Sequence, residues 1–143
     1  MSRARGKLPR EIFLSHASKD YRLARRLAET LREHGLPVWY APTEIIGAQQ
    51  WHDEIGAALA RCDWFVLVVS PNAAKSEWVR RELMYALNEA RYREHIAPLI
   101  FRKCDPQEVS WTLQAFQHID FTKGFTRGCT DLLRVWGLGF RGD

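Results

Sequence analysis

Two side chains suited to chemistry stand close together in this 143-residue chain, Trp78 and Glu82. They lie in Ser76-Glu77-Trp78-Val79-Arg80-Arg81-Glu82-Leu83, a stretch with no Gly and no Pro. At helical spacing, residues four apart stack one above the other on one face. An aromatic ring and a carboxylate would then share one surface. The ring can stack on a flat ligand, and the carboxylate can hydrogen-bond hydroxyls or stabilise developing positive charge. The plainer reading of the same pair is a packing Trp beside a solvated Glu. Ser76 is a good N-cap, and Glu77 falls in the positive first turn. Val79, Leu83, Ala86, Leu87 and Ala90 follow the spacing of a buried stripe. Trp78 and Glu82 are expected at the edge of that stripe, rotated about 100° from Val79.

What could position such a pair is read from the rest of the chain. Ile12-Phe13-Leu14 is a short apolar run that fits a strand buried on both faces. Residues 15–18 follow as a polar loop, with Ser18 a candidate N-cap. Leu23, Ala24, Leu27, Ala28 and Leu31 mark a helix face, and Gly35 sits where a C-terminal Gly belongs. Residues 37–40 are a second strand. The next connection, from Ala41 to Gln50, is about ten residues long, above the usual 2–6 between a strand and a helix. Trp51, Ile55, Ala58, Leu59 and Cys62 give the next helix face. The strongest strand is Trp64 to Val69, expected at the sheet centre. A loop over 70–73 leads to the Ser76 helix. A fourth strand covers 96–101, where Pro98 argues for a place toward the edge or a bulge. Asp105-Pro106-Gln107-Glu108 reads as the start of a short helix. Residues 118–121 are a weak last strand. Phe125, Cys129, Leu132, Leu133 and Trp136 make the final helix face, closed by Gly137; Gly124 and Gly128 weaken its start.

Strands and helices alternating in this way predict an α/β, flavodoxin-like three-layer fold. Its five-stranded parallel sheet takes the order 2-1-3-4-5, with helices on both faces. Ligands of such sheets bind at the switch point between strands 1 and 3. Residues 15–18 and 70–76 reach that crevice, and Trp78 and Glu82 arrive with them. Backbone N–H groups around His16, Ala17 and Ser18 could meet phosphate there. Ser76 belongs to the same rim. A dinucleotide fingerprint of glycines after strand 1 is missing, since that segment reads Ser15-His16-Ala17-Ser18-Lys19-Asp20. A receiver domain would need an Asp at the end of strand 3, where Val68-Val69-Ser70 stands instead. No P-loop is present.

Composition sets the remaining bounds. Apolar residues make up 46% and charged residues 27%, which places the chain among globular proteins, not disordered ones. The net charge of +4 favours small anionic partners and is too slight to argue for nucleic acid. The three cysteines are far apart and the five histidines form no H-x-x-x-H pair, so no metal site is expected. No apolar run is long enough to span a membrane. Without a signal-peptide pattern or a disulfide framework, a cytoplasmic setting is expected. Residues 1–10 read as a basic mobile tail, 11–137 as one domain and 138–143 as a short tail.

Three blocks carry a family resemblance. The first is Glu11-Ile12-Phe13-Leu14-Ser15-His16-Ala17-Ser18-Lys19-Asp20. The second runs from Leu36 through Trp39-Tyr40-Ala41-Pro42 and Ile46-Gly47 to Trp51. The third is the Ser76 to Leu83 helix start. Together they resemble the Toll/interleukin receptor (TIR) domain in its prokaryotic, NAD-cleaving branch. One departure is Ala41-Pro42, where many members carry an acidic residue.

The resemblance implies an NAD glycohydrolase or cyclase. Such an enzyme breaks the nicotinamide–ribose bond and gives nicotinamide with ADP-ribose or a cyclic isomer. It further implies a part in bacterial immune signalling such as antiphage defence. Carried over, Glu82 is the catalytic glutamate and Trp78 the aromatic that holds the nicotinamide. His16, Ala17, Ser18, Ile46, Gly47, Trp51 and Ser76 are the expected substrate contacts. NAD enters as substrate, so no cofactor or metal is expected. Self-association through TIR–TIR contacts is the expected mode of action, with a sensor or effector protein as a further partner, and Ile45-Ile46 is the loop segment suited to it. The competing reading is a non-enzymatic TIR–TIR adaptor module.

Overall fold

The computed structural model describes residues 8–41 and 48–142, with side chains of the second segment from residue 52 onward. Ile46, Gly47 and the side chain of Trp51, all expected near the ligand, lie outside the described residues.

Five strands form one sheet: β1 (Ile12–Ser15), β2 (Val38–Trp39), β3 (Trp64–Val69), β4 (Ile96–Ile100) and β5 (Ile119–Asp120). Their order is β2-β1-β3-β4-β5, and every pair is parallel. The expected topology is therefore the observed one, with β3 central. All six residues of β3 are buried, which is why it reads as an unbroken apolar run.

The helices are α1 (Tyr21–Glu33), α2 (Ala48–Arg61), the single turn α3 (Pro71–Ala74), α4 (Glu77–Leu87) and α5 (Phe125–Val135). Strand alternation sorts their packing. Ile12, Leu14, Trp64, Val66 and Val68 point to the α1/α5 side, where they meet Leu27, Leu31, Leu132 and Trp136. Phe13, Phe65, Leu67 and Val69 point to the α2/α4 side, where they meet Ile55, Leu59, Val79 and Leu83.

Several local expectations are refined. Between β4 and β5 the chain makes two 3-10 segments, Pro106–Glu108 and Trp111–Ala115, and no α-helix. Asp105 does cap the first, accepting from the Gln107 N–H at 3.0 Å. Pro98 pairs with Leu67, but β5 covers only Leu99 and Ile100. Its missing N–H thus lies before the outer ladder begins. Ser18 does not cap α1. It opens a 3-10 turn, Ser18–Asp20, and α1 starts only at Tyr21. The expected loop at 70–73 is instead the α3 turn, with Ser70 Oγ accepting from the Ala73 N–H at 3.1 Å. Gly128 lets α5 approach the sheet, since a Cβ there would lie 2.3 Å from the Phe121 ring. Beyond α5, Phe140 stacks on His34 at 5.5 Å, and the Arg141 N–H donates to His34 Nε2 at 2.8 Å.

Candidate functional site at the β1–β3 switch point

Strand period decides what sits at the carboxyl ends of β1 and β3. Ser15 continues the Phe13 side of β1 and so faces α4. Its Oγ donates to Glu82 Oε1 at 2.7 Å, and both groups are buried. Ser70 continues the Val68 side and so faces α1. Its Oγ donates to Asp20 Oδ2 at 2.6 Å, and Asn72 Nδ2 donates to Asp20 Oδ1 at 2.8 Å. Asp20 thereby ties the loop after β1 to the loop after β3.

The placement of Glu82 corrects the sequence reading. The buried face of α4 is Val79, Glu82, Leu83 and Ala86. Glu82 is 7% exposed, while Leu87, expected in the stripe, is 37% exposed. The carboxylate thus lies within the packed face, not at its edge. Burial pushes its pKa up to about 7 from an ordinary 4.5, and the Ser15 hydrogen bond pulls in the opposite direction. Among the described residues Ser15 is its only hydrogen-bond partner.

Trp78 sits one turn before Glu82 on α4, half-buried against the α2/α4 core. Its ring meets the His52 ring of α2 at 6.0 Å, and the Arg81 guanidinium lies 5.8 Å from its centroid. Ser76 caps α4, its Oγ accepting from the Val79 N–H at 3.2 Å. Ala17, Ser18 and Ser76 line one cleft of about 250 Å³ between the two loops, with Lys19, Asn72 and Lys75. His16 is turned to other neighbours. Its Nδ1 lies 2.7 Å from the Ala17 carbonyl oxygen and its Nε2 3.2 Å from that of Ala41, with Tyr21 and Tyr40 flanking the ring. It joins β1 to the end of β2. A wider groove of about 380 Å³ runs along α4 past Met84, Leu87 and Trp111, but neither Trp78 nor Glu82 lines it.

Ser15, Asp20, Ser70 and Asn72 were not singled out from sequence. A signal exists for the serines: each is the first polar residue after an apolar strand, at the end where this architecture keeps its ligands. Among the described residues no cluster of three or more His, Cys, Asp or Glu could hold a metal ion, the cysteines are free, and no helix is long and apolar enough to cross a membrane.

Relatives bear on this geometry. The chain is 34% identical over 74 residues to the 2' cyclic ADP-D-ribose synthase BtTIR of Bacteroides thetaiotaomicron, covering 51% of this chain and 26% of that protein. It is 32% identical over 105 residues to the NAD(+) hydrolase PdTIR of Paracoccus denitrificans, covering 71% of this chain and 34% of that one. The chain thus spans about a quarter to a third of these relatives. Among solved structures, the TIR domain of the Toll-related receptor TRR-2 of Hydra magnipapillata superposes with a TM-score of 0.64 at 18% identity, covering 78% of this chain and 83% of that one. The TIR domains of the activated Roq1 resistosome give 0.56 at 21% identity, covering 88% and 78%. These two likenesses bear on the fold. A family model described as TIR domain matches residues 12–133, and with most of its length inside that match the chain belongs to the TIR-domain family.

Proposed function

We propose that this domain cleaves NAD at the nicotinamide–ribose bond, with Glu82 as the catalytic carboxylate and Trp78 as the ring platform. The observation that carries the reading is a buried glutamate at the switch point, held at one oxygen by Ser15. Relatives named as NAD hydrolases and cyclic ADP-ribose synthases support the same chemistry.

Positive charge resides first on the pyridinium ring of NAD. As the N-glycosidic bond breaks, its electron pair goes to the nicotinamide nitrogen and positive charge develops on the ribose. The leaving group departs neutral, so no acid is required. An ionised Glu82 beside the ribose stabilises that charge and accepts hydrogen bonds from its hydroxyls. Water then adds at the anomeric carbon and loses a proton, giving ADP-ribose; attack by a group of the same molecule gives a cyclic product. Stacking of nicotinamide on Trp78 contributes about 0.5–1.5 kcal/mol beyond its area burial. Action as a TIR–TIR assembly belongs to the same reading.

The test is nicotinamide release from NAD by purified protein across a range of protein concentrations. Release that disappears in Glu82→Gln supports the proposal. No release at any concentration would leave the adaptor reading.

A further inference from the structure

The charges along α4 beside the ring platform follow an order, and the chemistry above leaves one of them unused. Arg81 comes three positions after Trp78, so helical spacing sets the two side by side. Its guanidinium lies 5.8 Å from the Trp78 ring centroid, within the range of a cation–π contact. From α2 the His52 ring meets Trp78 at 6.0 Å and 57°. Arg80, the adjacent cation, is engaged elsewhere and donates to the Ala74 carbonyl oxygen. Glu77 stands 3.5 Å from Arg81, with both side chains exposed. An exposed pair of this kind is weak and neutralises the guanidinium only in part. Glu82, the next residue, is buried on the core side of the helix. A cation beside the ring and a carboxylate on the buried face thus mark the two ends of a short electrostatic step.

We propose that Arg81 promotes departure of the ring by like charge: it repels the pyridinium of bound NAD and tolerates the neutral nicotinamide that the reaction leaves. The identity of the ring and of the ribose rests on the NAD-cleaving reading, which this deepens. A flat ring stacked on either face of Trp78 lies within about 10 Å of the guanidinium, no more than a Debye length. Before cleavage that ring carries a positive charge. As the N-glycosidic bond breaks, its electron pair passes to the ring nitrogen, and the positive charge moves onto the ribose beside Glu82. The charge therefore moves away from a cation and toward an anion. Arg81 raises the energy of the bound substrate more than that of the transition state, which lowers the barrier from the bound complex. The kinetic signature is distinct. A residue that only holds Trp78 or the substrate raises KM when it is lost, whereas loss of a like-charge repulsion lowers KM and kcat together.

Arg81→Met keeps an apolar stem of similar length and removes the charge; Arg81→Lys keeps the charge and changes the shape. The probes are nicotinamide and nicotinamide methylated at its ring nitrogen, a permanent pyridinium of nearly the same outline. Each is titrated by NMR into the whole chain at low salt. Arg81→Met is expected to shift the ratio of the two affinities toward the cation by about threefold or more, the effect of a partly screened like charge at this range. Arg81→Lys should keep the wild-type ratio. With NAD as substrate, Arg81→Met should lower KM and kcat together, each by about threefold. An affinity ratio unmoved by Arg81→Met, binding of neither probe by wild type, or a KM that rises in Arg81→Met would overturn the proposal. Failure of the two readings is distinguishable. An Arg81-dependent ratio without nicotinamide release from NAD keeps the repelling charge and removes the enzyme. Nicotinamide release with kinetics and probe ratio indifferent to Arg81→Met does the reverse.

Discussion

Asp20 and Glu82 are both buried carboxylates, 6% and 7% exposed, at the same end of the same sheet. They differ in what satisfies them. Each Asp20 oxygen accepts from a side chain of the β3–α4 connection, Ser70 on Oδ2 and Asn72 on Oδ1. Glu82 has Ser15 on Oε1 and no other partner among the described residues. A buried charge is stable only when its hydrogen-bonding capacity is met. Asp20 meets that condition and acts as a tie between loops. Glu82 does not, and its proton is held up to about pH 7. A carboxylate short of partners is available to a ligand. The comparison separates an acid satisfied within the fold from one with hydrogen-bonding capacity to spare, on two opposite sides of one sheet.

The largest effect that could break this comparison is catalytic. Glu82→Gln keeps the size and one hydrogen bond to Ser15 but removes the charge. Nicotinamide release should fall by about 10²–10³, the usual cost of losing one preorganised electrostatic group. A chromatographic assay of nicotinamide against time measures it. A folded variant that cleaves NAD at the wild-type rate would remove Glu82 from the chemistry.

Asp20→Ala should act the other way, on stability. It removes two hydrogen bonds to a charged group and leaves the Ser70 hydroxyl and Asn72 amide without that partner. A loss of about 2–4 kcal/mol is expected in denaturant melts. Any fall in NAD turnover should track the folded fraction. An Asp20→Ala protein as stable as wild type would refute the tie.

Glu82 also predicts a pH dependence of stability. In the unfolded chain Glu82 ionises near 4.5; in the fold it does so near 7. Between these values the unfolded state binds fewer protons, so this group makes stability fall as pH rises and adds nothing further above about pH 7. The full penalty is about 3 kcal/mol, from about 1.4 kcal/mol per pH unit. Glu82→Gln is free of it. The variant should melt close to wild type at pH 4.5 and several degrees above it at pH 8. Equal melting temperatures at both pH values would mean that burial does not raise this carboxylate's pKa. The stabilising mutation is then the inactivating one, as expected where a site is kept under strain for function.

Much of the fold was legible because it rests on backbone periodicity. The β3 run, the Leu27 and Leu31 face of α1 and the alternation of elements fix a parallel sheet without reference to any one contact. Helix C-terminal glycines were legible for a similar local reason, and Gly35 and Gly137 both take positive φ. The α4 face was misread at three positions, Glu82, Leu87 and Ala90, the last of which is exposed beyond the end of the helix. Hydrophobic patterning puts Leu87 inside and Glu82 at the margin, because it scores residue type. Packing instead placed Ser15 under Glu82, and a hydroxyl there makes burial of the carboxylate tolerable. Ser18 was misread as the α1 cap because capping is judged locally. The residue that fixes this turn, Asp20, is bonded to Ser70 fifty positions away. Long-range polar pairs leave no period in a sequence, and both pairs at this site are of that kind.

The smallest expected effect bears most directly on how Glu82 works. Ser15→Ala removes the hydrogen bond that favours the ionised carboxylate and leaves its burial unchanged. The pKa should therefore rise further, by less than the burial shift itself. If the ionised form stabilises the ribose cation, wild-type activity rises with pH through about 7, and the Ser15→Ala rise is displaced to higher pH. At neutral pH the variant should be slower by several-fold, and raising the pH should recover most of that loss. Activity followed from pH 5.5 to pH 9 measures the displacement. An unmoved profile at a uniformly lower rate would mean that Ser15 only orients the side chain. A profile moved to lower pH would contradict the sign of the hydrogen bond and with it the account of why this glutamate is poised near neutrality.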